Sequence, residues 1–180
     1  MFDGTDALML SGETAIGHDP PLVVRTMSRI AQRAEGEADY EQWSMRLGRR
    51  LRAIHPEGAE RITQALSHAA WQAAVDIGVD AIVCCTRSGR TALAMARFRP
   101  TAPLIGISPD PATARALSVA WGVLPMTVET YQTTDELVWC VVEAVVRAGH
   151  VGGGDLVAVL AGAPDRPDGA TDVLRVVRIS

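Results

Sequence analysis

From Arg61 to the last residues, the chain repeats one pattern: a stretch with helical apolar spacing, then a short and wholly apolar run. Ala65, Ala69, Ala70, Ala73, Ala74 and Ile77 recur at helical intervals on one side, and Gly78 is a natural stop. Ala81-Ile82-Val83-Cys84-Cys85 then reads as a buried strand. The alternation continues with a helix over 89–99 (Leu93, Ala96 and Phe98 inward), a strand over 103–107 and a helix over 111–119. A strand over 123–128 precedes a helix over 133–148, whose Leu137, Val138, Val141, Val142 and Val145 share a face. Runs over 156–160 and 173–179 supply two more strands. Apolar runs without polar alternation are strands buried on both faces, which calls for a mainly parallel sheet covered by helices. The link over 161–170 is turn-rich and too short for a helical crossover, so the last strand is expected to run antiparallel. The predicted fold class is α/β: a three-layer α/β/α domain with a mainly parallel five-stranded sheet.

Upstream the pattern is incomplete. Ala7 to Leu10 form an apolar run long enough for a buried parallel strand, followed by the polar turn Ser11-Gly12-Glu13-Thr14. Asp19-Pro20-Pro21 opens a helix over 21–35, with Leu22, Val23, Met27, Ile30 and Ala31 at helical spacing. One strand–turn–helix unit cannot bury both faces of its strand, so its neighbours are expected in sequence outside this chain. Residues 35–56 are charged and irregular and read as a linker carrying helical turns, with Met45, Leu47 and Leu51 as apolar anchors. Arg46, Arg49, Arg50 and Arg52 read as a solvated helix face, with an anion patch as the alternative.

Composition excludes several function classes. Hydrophobic residues at 48% suffice for a core, and 21% charged residues argue against disorder. A net charge of −4 argues against general nucleic-acid binding. No window reaches the length of a membrane span, and the acidic start lacks the pattern of a signal peptide. All 17 basic residues are arginine, which removes Schiff-base chemistry and a Walker-type phosphate loop from this segment. Adjacent Cys84 and Cys85 point to opposite faces of a strand, so they and Cys140 suit core packing in a reducing cytoplasm rather than zinc or redox chemistry. His18, His55, His68 and His150 show no metal-ligand spacing, and no metal site is expected. His68 reads as a packing or capping residue, and Trp71, Trp121 and Trp139 as core or interface anchors.

The best site candidate is Thr86-Arg87-Ser88-Gly89-Arg90-Thr91, between a strand and a helix. Ligands of open α/β sheets bind beyond the carboxyl ends of strands. Helix N-termini offer free N–H groups to anions, and hydroxyls, a glycine and two arginines would complete a phosphate cradle. An ordinary helix cap flanked by surface arginines stands as the alternative.

The chain resembles the pyruvate kinase family. The resemblance rests on Asp3-Gly4-Thr5-Asp6-Ala7-Leu8-Met9-Leu10-Ser11-Gly12-Glu13-Thr14-Ala15, on Thr86 to Ala92, and on Ala96-Arg97-Phe98-Arg99-Pro100. It covers nearly the whole length and is weakest over 35–56. It departs at Ile16 and His18, where the family often has lysines. The resemblance implies that residues 1–36 are the terminal βα unit of a (β/α)8 catalytic barrel, 37–60 a linker and 61–180 the C-terminal allosteric domain. It places Ser11, Gly12, Glu13 and Thr14 at the active-site end of that barrel. It also implies that Thr86, Arg87, Ser88, Gly89, Arg90 and Thr91 hold an effector phosphate, with Arg166, Gly169 and Thr171 as a second effector loop.

The same resemblance implies a cytoplasmic glycolytic phosphotransferase that converts phosphoenolpyruvate and ADP to pyruvate and ATP, with Mg²⁺ and K⁺ in the complete enzyme. The family's catalytic carboxylates, phosphate-binding arginine and lysine, and assisting threonine match no position here. No catalytic residue and no bound metal are therefore expected in this segment, which is expected to be inactive alone. The implied partners are a sugar phosphate or nucleoside monophosphate effector and further copies of the chain, a tetramer in the complete enzyme. Asp172 replaces a family asparagine, and Asp165 and Asp168 add negative charge, which favours a monophosphate over a bisphosphate. A free-standing small-anion-binding module without kinase activity is the alternative.

Overall fold

A computed structural model describes residues 2, 4–54, 57–129, 133–163 and 169–180. Among these residues, seven helices and five strands follow in the order α1 (Gly12–Ala15), α2 (Pro20–Gly36), α3 (Tyr40–Ile54), α4 (Gly58–Ile77), β1 (Ala81–Cys85), α5 (Arg90–Ala96), β2 (Leu104–Ser108), α6 (Pro111–Leu117), β3 (Val123–Thr127), α7 (Thr134–Arg147), β4 (Leu156–Ala161) and β5 (Val173–Arg178). The strands form one sheet in the order β3-β2-β1-β4-β5. β1, β2, β3 and β4 pair in parallel, and β5 runs antiparallel to β4, as the short link between them predicts.

Local chemistry sets the element ends. Asp19 accepts a hydrogen bond from the Leu22 amide (2.9 Å) and precedes Pro20, which opens α2. Asp110 caps α6 through the Ala112 amide (2.9 Å), and that bond leads the forces holding its carboxyl below the usual range. Thr133 caps α7 through the Glu136 amide (3.2 Å). Gly78 closes α4 in the left-handed conformation, at φ +69°.

The two sheet faces build separate cores. Ile82 and Cys84 join Trp71, Met95, Phe98 and Leu117 beneath α4, α5 and α6. Ala81, Val83 and Cys85 join Ile105, Ile107 and the five buried residues of α7, Leu137, Val138, Val141, Val142 and Val145. Gly106 lets the first layer approach closely: a Cβ there would lie 2.9 Å from Val123 Cγ1 and 3.0 Å from Leu117 Cδ1. Burial pushes the Cys85 thiol up to about 12, and burial followed by the neighbouring Cys85 raises the Cys84 thiol well above its ordinary range.

Five expectations need correction. Ala7 to Leu10 form no strand, and Leu8 and Met9 are exposed, because the described residues offer them no strand to pair with. Where a linker carrying helical turns was expected over 35–56, Tyr40–Ile54 form one continuous helix, α3. Its Leu47 and Leu51 pack on the first core, while Arg46, Arg49 and Arg50 face solvent. α4 buries Thr63, Ser67, Ala70, Trp71 and Ala74, leaving Ala65, Ala69 and Ile77 exposed, because the large indole of Trp71 sets the rotation of the helix. Leu93 points outward because Ala92, Met95 and Ala96 take the sheet side of α5. Trp139 is 62% exposed, so of the two roles expected for it, core or interface anchor, the core one does not hold.

Candidate functional site

The strand order reverses between β1 and β4, both of which neighbour each other at the centre of the sheet. Crevices at the carboxyl ends of such strands are where α/β sheets bind ligands. The loop after β1 is 86–89, and the loop after β4 leads through Gly169 and Thr171 to β5. The fold brings these two loops together. The hydroxyls of Thr91 and Thr171 are 2.6 Å apart in a buried pair. The Thr171 amide donates to Thr63 Oγ1 on α4 (3.2 Å). A Cβ on Gly169, whose φ is +61°, would stand 3.4 Å from Arg90 Nη2.

Within the first loop the six residues divide by role. Thr86 is buried, and its amide completes the sheet by donating to the Ile107 carbonyl (2.9 Å). The Arg87 carbonyl accepts from Thr113 Oγ1 (3.0 Å), which fixes the loop against α6, and the Arg87 side chain is exposed. Gly89 starts α5 at φ +83° and supplies no side-chain cap, so neither Thr86 nor Ser88 is the helix cap. Ser88 Oγ instead accepts from Arg90 Nε (3.1 Å), which steers that guanidinium.

A cleft of about 220 Å³ opens beside the loops, lined by Ala59, Glu60, Thr63, Gln64, Arg90, Leu93, Ala94, Arg97 and Gly169. One wall is the outer face of α5, where positions 90, 93, 94 and 97 stack at helical spacing. The other wall is the first turns of α4. Gln64 donates to Glu60 Oε1 (2.8 Å), while Gln64 Oε1 is buried without a hydrogen-bond partner among the described residues. Two arginines on one wall give the cleft anion-binding character, tempered by Glu60 on the other.

Sequence reading identified Arg90, Gly169 and Thr171 but not Arg97, Glu60, Thr63 or Gln64. The seven-residue interval from Arg90 to Arg97 was the available signal. Arg166, with Asp165 and Asp168, lies outside the described residues. Ser11, Gly12, Glu13 and Thr14 stand apart from the loop pair, in or beside α1, which packs on α2. There Thr14 Oγ1 donates to the Ser11 carbonyl (3.0 Å), and Glu13 is exposed. Among the described residues no three His, Cys, Asp or Glu side chains could hold a metal ion together. No described helix is long and apolar enough to cross a membrane.

Comparison with known proteins agrees with this architecture. The family described as "Pyruvate kinase, alpha/beta domain" matches residues 64–177, which span the sheet and both loops. A pyruvate kinase of Clostridium acetobutylicum is 40% identical over 176 residues, covering 98% of this chain and 36% of that protein. A pyruvate kinase of Geobacillus stearothermophilus is 39% identical over 180 residues, covering 100% of this chain and 30% of its own length. One of Staphylococcus epidermidis is 37% identical over 176 residues, covering 98% and 29% respectively. The chain thus spans about a third of the length of these relatives, and on the matched sheet domain and this identity it belongs to the pyruvate kinase family.

Proposed function

We propose that this chain is the effector-binding and subunit-contact part of a pyruvate kinase, and that its cleft holds the phosphate of a small regulatory metabolite. One observation carries the reading: at the strand reversal, two loops far apart in sequence meet, and Arg90 and Arg97 line a cleft beside them. The uncapped start of α5 and the steering of Arg90 by Ser88 support it. The ligand-facing members are Arg87, Ser88, Arg90 and Arg97. Thr86, Thr91 and Thr171 build the frame. Glu60 at the cleft disfavours a second phosphate, so a sugar monophosphate or nucleoside monophosphate fits better than a bisphosphate.

The wider reading is a cytoplasmic glycolytic enzyme making pyruvate and ATP from phosphoenolpyruvate and ADP. Mg²⁺ and K⁺ would serve its catalytic barrel, to which residues 1–36 belong as the last βα unit. None of the family's catalytic metal ligands or catalytic phosphate-binding residues matches a position among these 180 residues, so the chain by itself is expected to be inactive. Phe2, Leu8, Met9, Ile16, Leu22 and Ile30 are exposed large apolar residues, and such surface drives self-association.

One preparation tests these points. Calorimetry with glucose-6-phosphate, AMP and fructose-1,6-bisphosphate is expected to show binding below millimolar for a monophosphate. Arg90→Ala is expected to weaken it about tenfold or more, worth about 1.4 kcal/mol. If no compound binds, or if Arg90→Ala binds equally well, the loop is only the start of a helix. On the same sample, a coupled assay is expected to show no turnover with phosphoenolpyruvate and ADP. Light scattering is expected to show a dimer or larger species, and a clean monomer would remove the association.

A further inference from the structure

Arg99 is the one described non-glycine residue with positive φ, at +46°. Its side chain is only 3% exposed, a place arginine takes only when well paired. The partners come from distant parts of the chain. Its guanidinium lies 4.5 Å over the Trp121 ring. Nη2 donates to the Thr5 carbonyl (3.2 Å), and Nη1 stands 3.1 Å from Asp6 Oδ1, within ion-pair range but off hydrogen-bond alignment. Trp121 extends the cluster. Its indole N–H donates to Glu35 Oε1 at the end of α2 (2.7 Å), its amide reaches Asp6 Oδ1 (3.4 Å), and its ring meets Tyr40 at the start of α3 (5.6 Å).

The segment before α1 has little else to hold it. Met9 is 86% exposed and Leu8 46%, so apolar burial contributes little there. Gly4 passes close over Trp43, where a Cβ would lie 3.1 Å from the ring. The polar grip of Arg99 on Thr5 and Asp6 therefore dominates. An exposed ion pair contributes little, but a desolvated guanidinium over an aromatic face contributes more. Arg99 lies in none of the five strands, and Thr5 and Asp6 lie outside the sheet as well, so loss of the grip is expected to leave the sheet standing.

We propose that Arg99 is a positioning residue: the buried joint that fixes residues 4–10, and through them the Ser11–Thr14 turn, onto the α/β domain. The joint itself does not depend on whether the cleft binds phosphate. Its functional weight rests on the reading above, in which that turn belongs to the catalytic end of a barrel. Arg97, on the cleft wall, precedes Arg99 by two residues, so cleft and joint meet at the end of α5.

Backbone NMR relaxation on the full chain tests this. Order parameters over 4–10 are expected above about 0.8 in the unaltered chain and below about 0.6 in Arg99→Met and Asp6→Asn. Values in β1 and β4 are expected to stay unchanged. The Trp121 indole N–H resonance, assigned with Trp121→Phe, is expected to shift in Arg99→Met. Asp6→Glu, which keeps the carboxylate, is expected to restore much of the order. Because Asp6 is half-exposed, its variants report even if Arg99→Met fails to fold. The proposal is overturned if 4–10 is already disordered in the unaltered chain, if Asp6→Asn leaves it ordered, or if Asp6→Asn disorders β1 and β4 equally.

Discussion

Replacing Phe98 by alanine is expected to destabilise the domain by about 3–5 kcal/mol, near the upper end for a single core truncation. Phe98 is fully buried and belongs to the core beneath α4, α5 and α6. Its ring stacks against Trp71 at 6.0 Å and tilts against His68 at 5.5 Å, so it links α5 to α4. Its carbonyl accepts a hydrogen bond from buried Ser44 on α3, which brings a third helix to the same point. The truncation therefore leaves a cavity where three helices converge, and rigid neighbours can refill little of it. Urea unfolding at neutral pH measures the loss as a lower midpoint at unchanged slope. A loss below about 1 kcal/mol would mean that the layer collapses into the space.

Val141→Asp is expected to be more severe at neutral pH. Val141 is fully buried at the middle of α7, the only described helix that contributes to the second core. A carboxylate there enters an apolar cluster that includes Val83, Ile105 and Val159 and offers it no ion-pair partner. An unpaired buried charge costs several kcal/mol, against a typical domain stability of about 5–15 kcal/mol. The sign of the pH dependence follows. Burial raises the folded-state pKa of the new carboxyl above its unfolded value of about 3.9, so the neutral form is tolerated at acid pH. Stability then falls as pH rises above that value, opposite to the usual carboxylate. Thermal unfolding by circular dichroism between pH 4 and 8 reads this. A melting temperature within a few degrees of the unaltered chain at pH 8 would show that α7 shifts to let water in.

Legibility followed the range of the forces involved. The helices and strands from α4 onward were readable because an apolar run or a helical stripe is a local signal, and the antiparallel β5 followed from the length of one link. α3 was hidden because Arg46, Arg49 and Arg50 stand among an inward set, Ser44, Leu47, Gly48 and Leu51, that holds only two large apolar residues. The orientation of α4 was misjudged because its alanines form a regular stripe, while the burial of Trp71 decides the face. Ala7 to Leu10 carry a strand-like pattern, but a strand forms only with a partner beside it. At the candidate site, the loop after β1 was readable as one contiguous motif. The α4 wall and the grip of Arg99 on Thr5 and Asp6 were not, since each depends on contacts across long sequence separation.

The neighbouring thiols of β1 give the domain a pair of internal gauges. Cys84 belongs to the core under α4, α5 and α6, and Cys85 to the core under α7. Both are buried with raised pKa values, so a native chain shields each from alkylating reagents. Labelling of one in advance of the other would show which layer of helices lifts first, with fragmentation of the one peptide that carries both thiols locating the label. Two thiols on consecutive residues thus report on opposite faces of one sheet, so the opening order of the layers is measurable without an engineered cysteine.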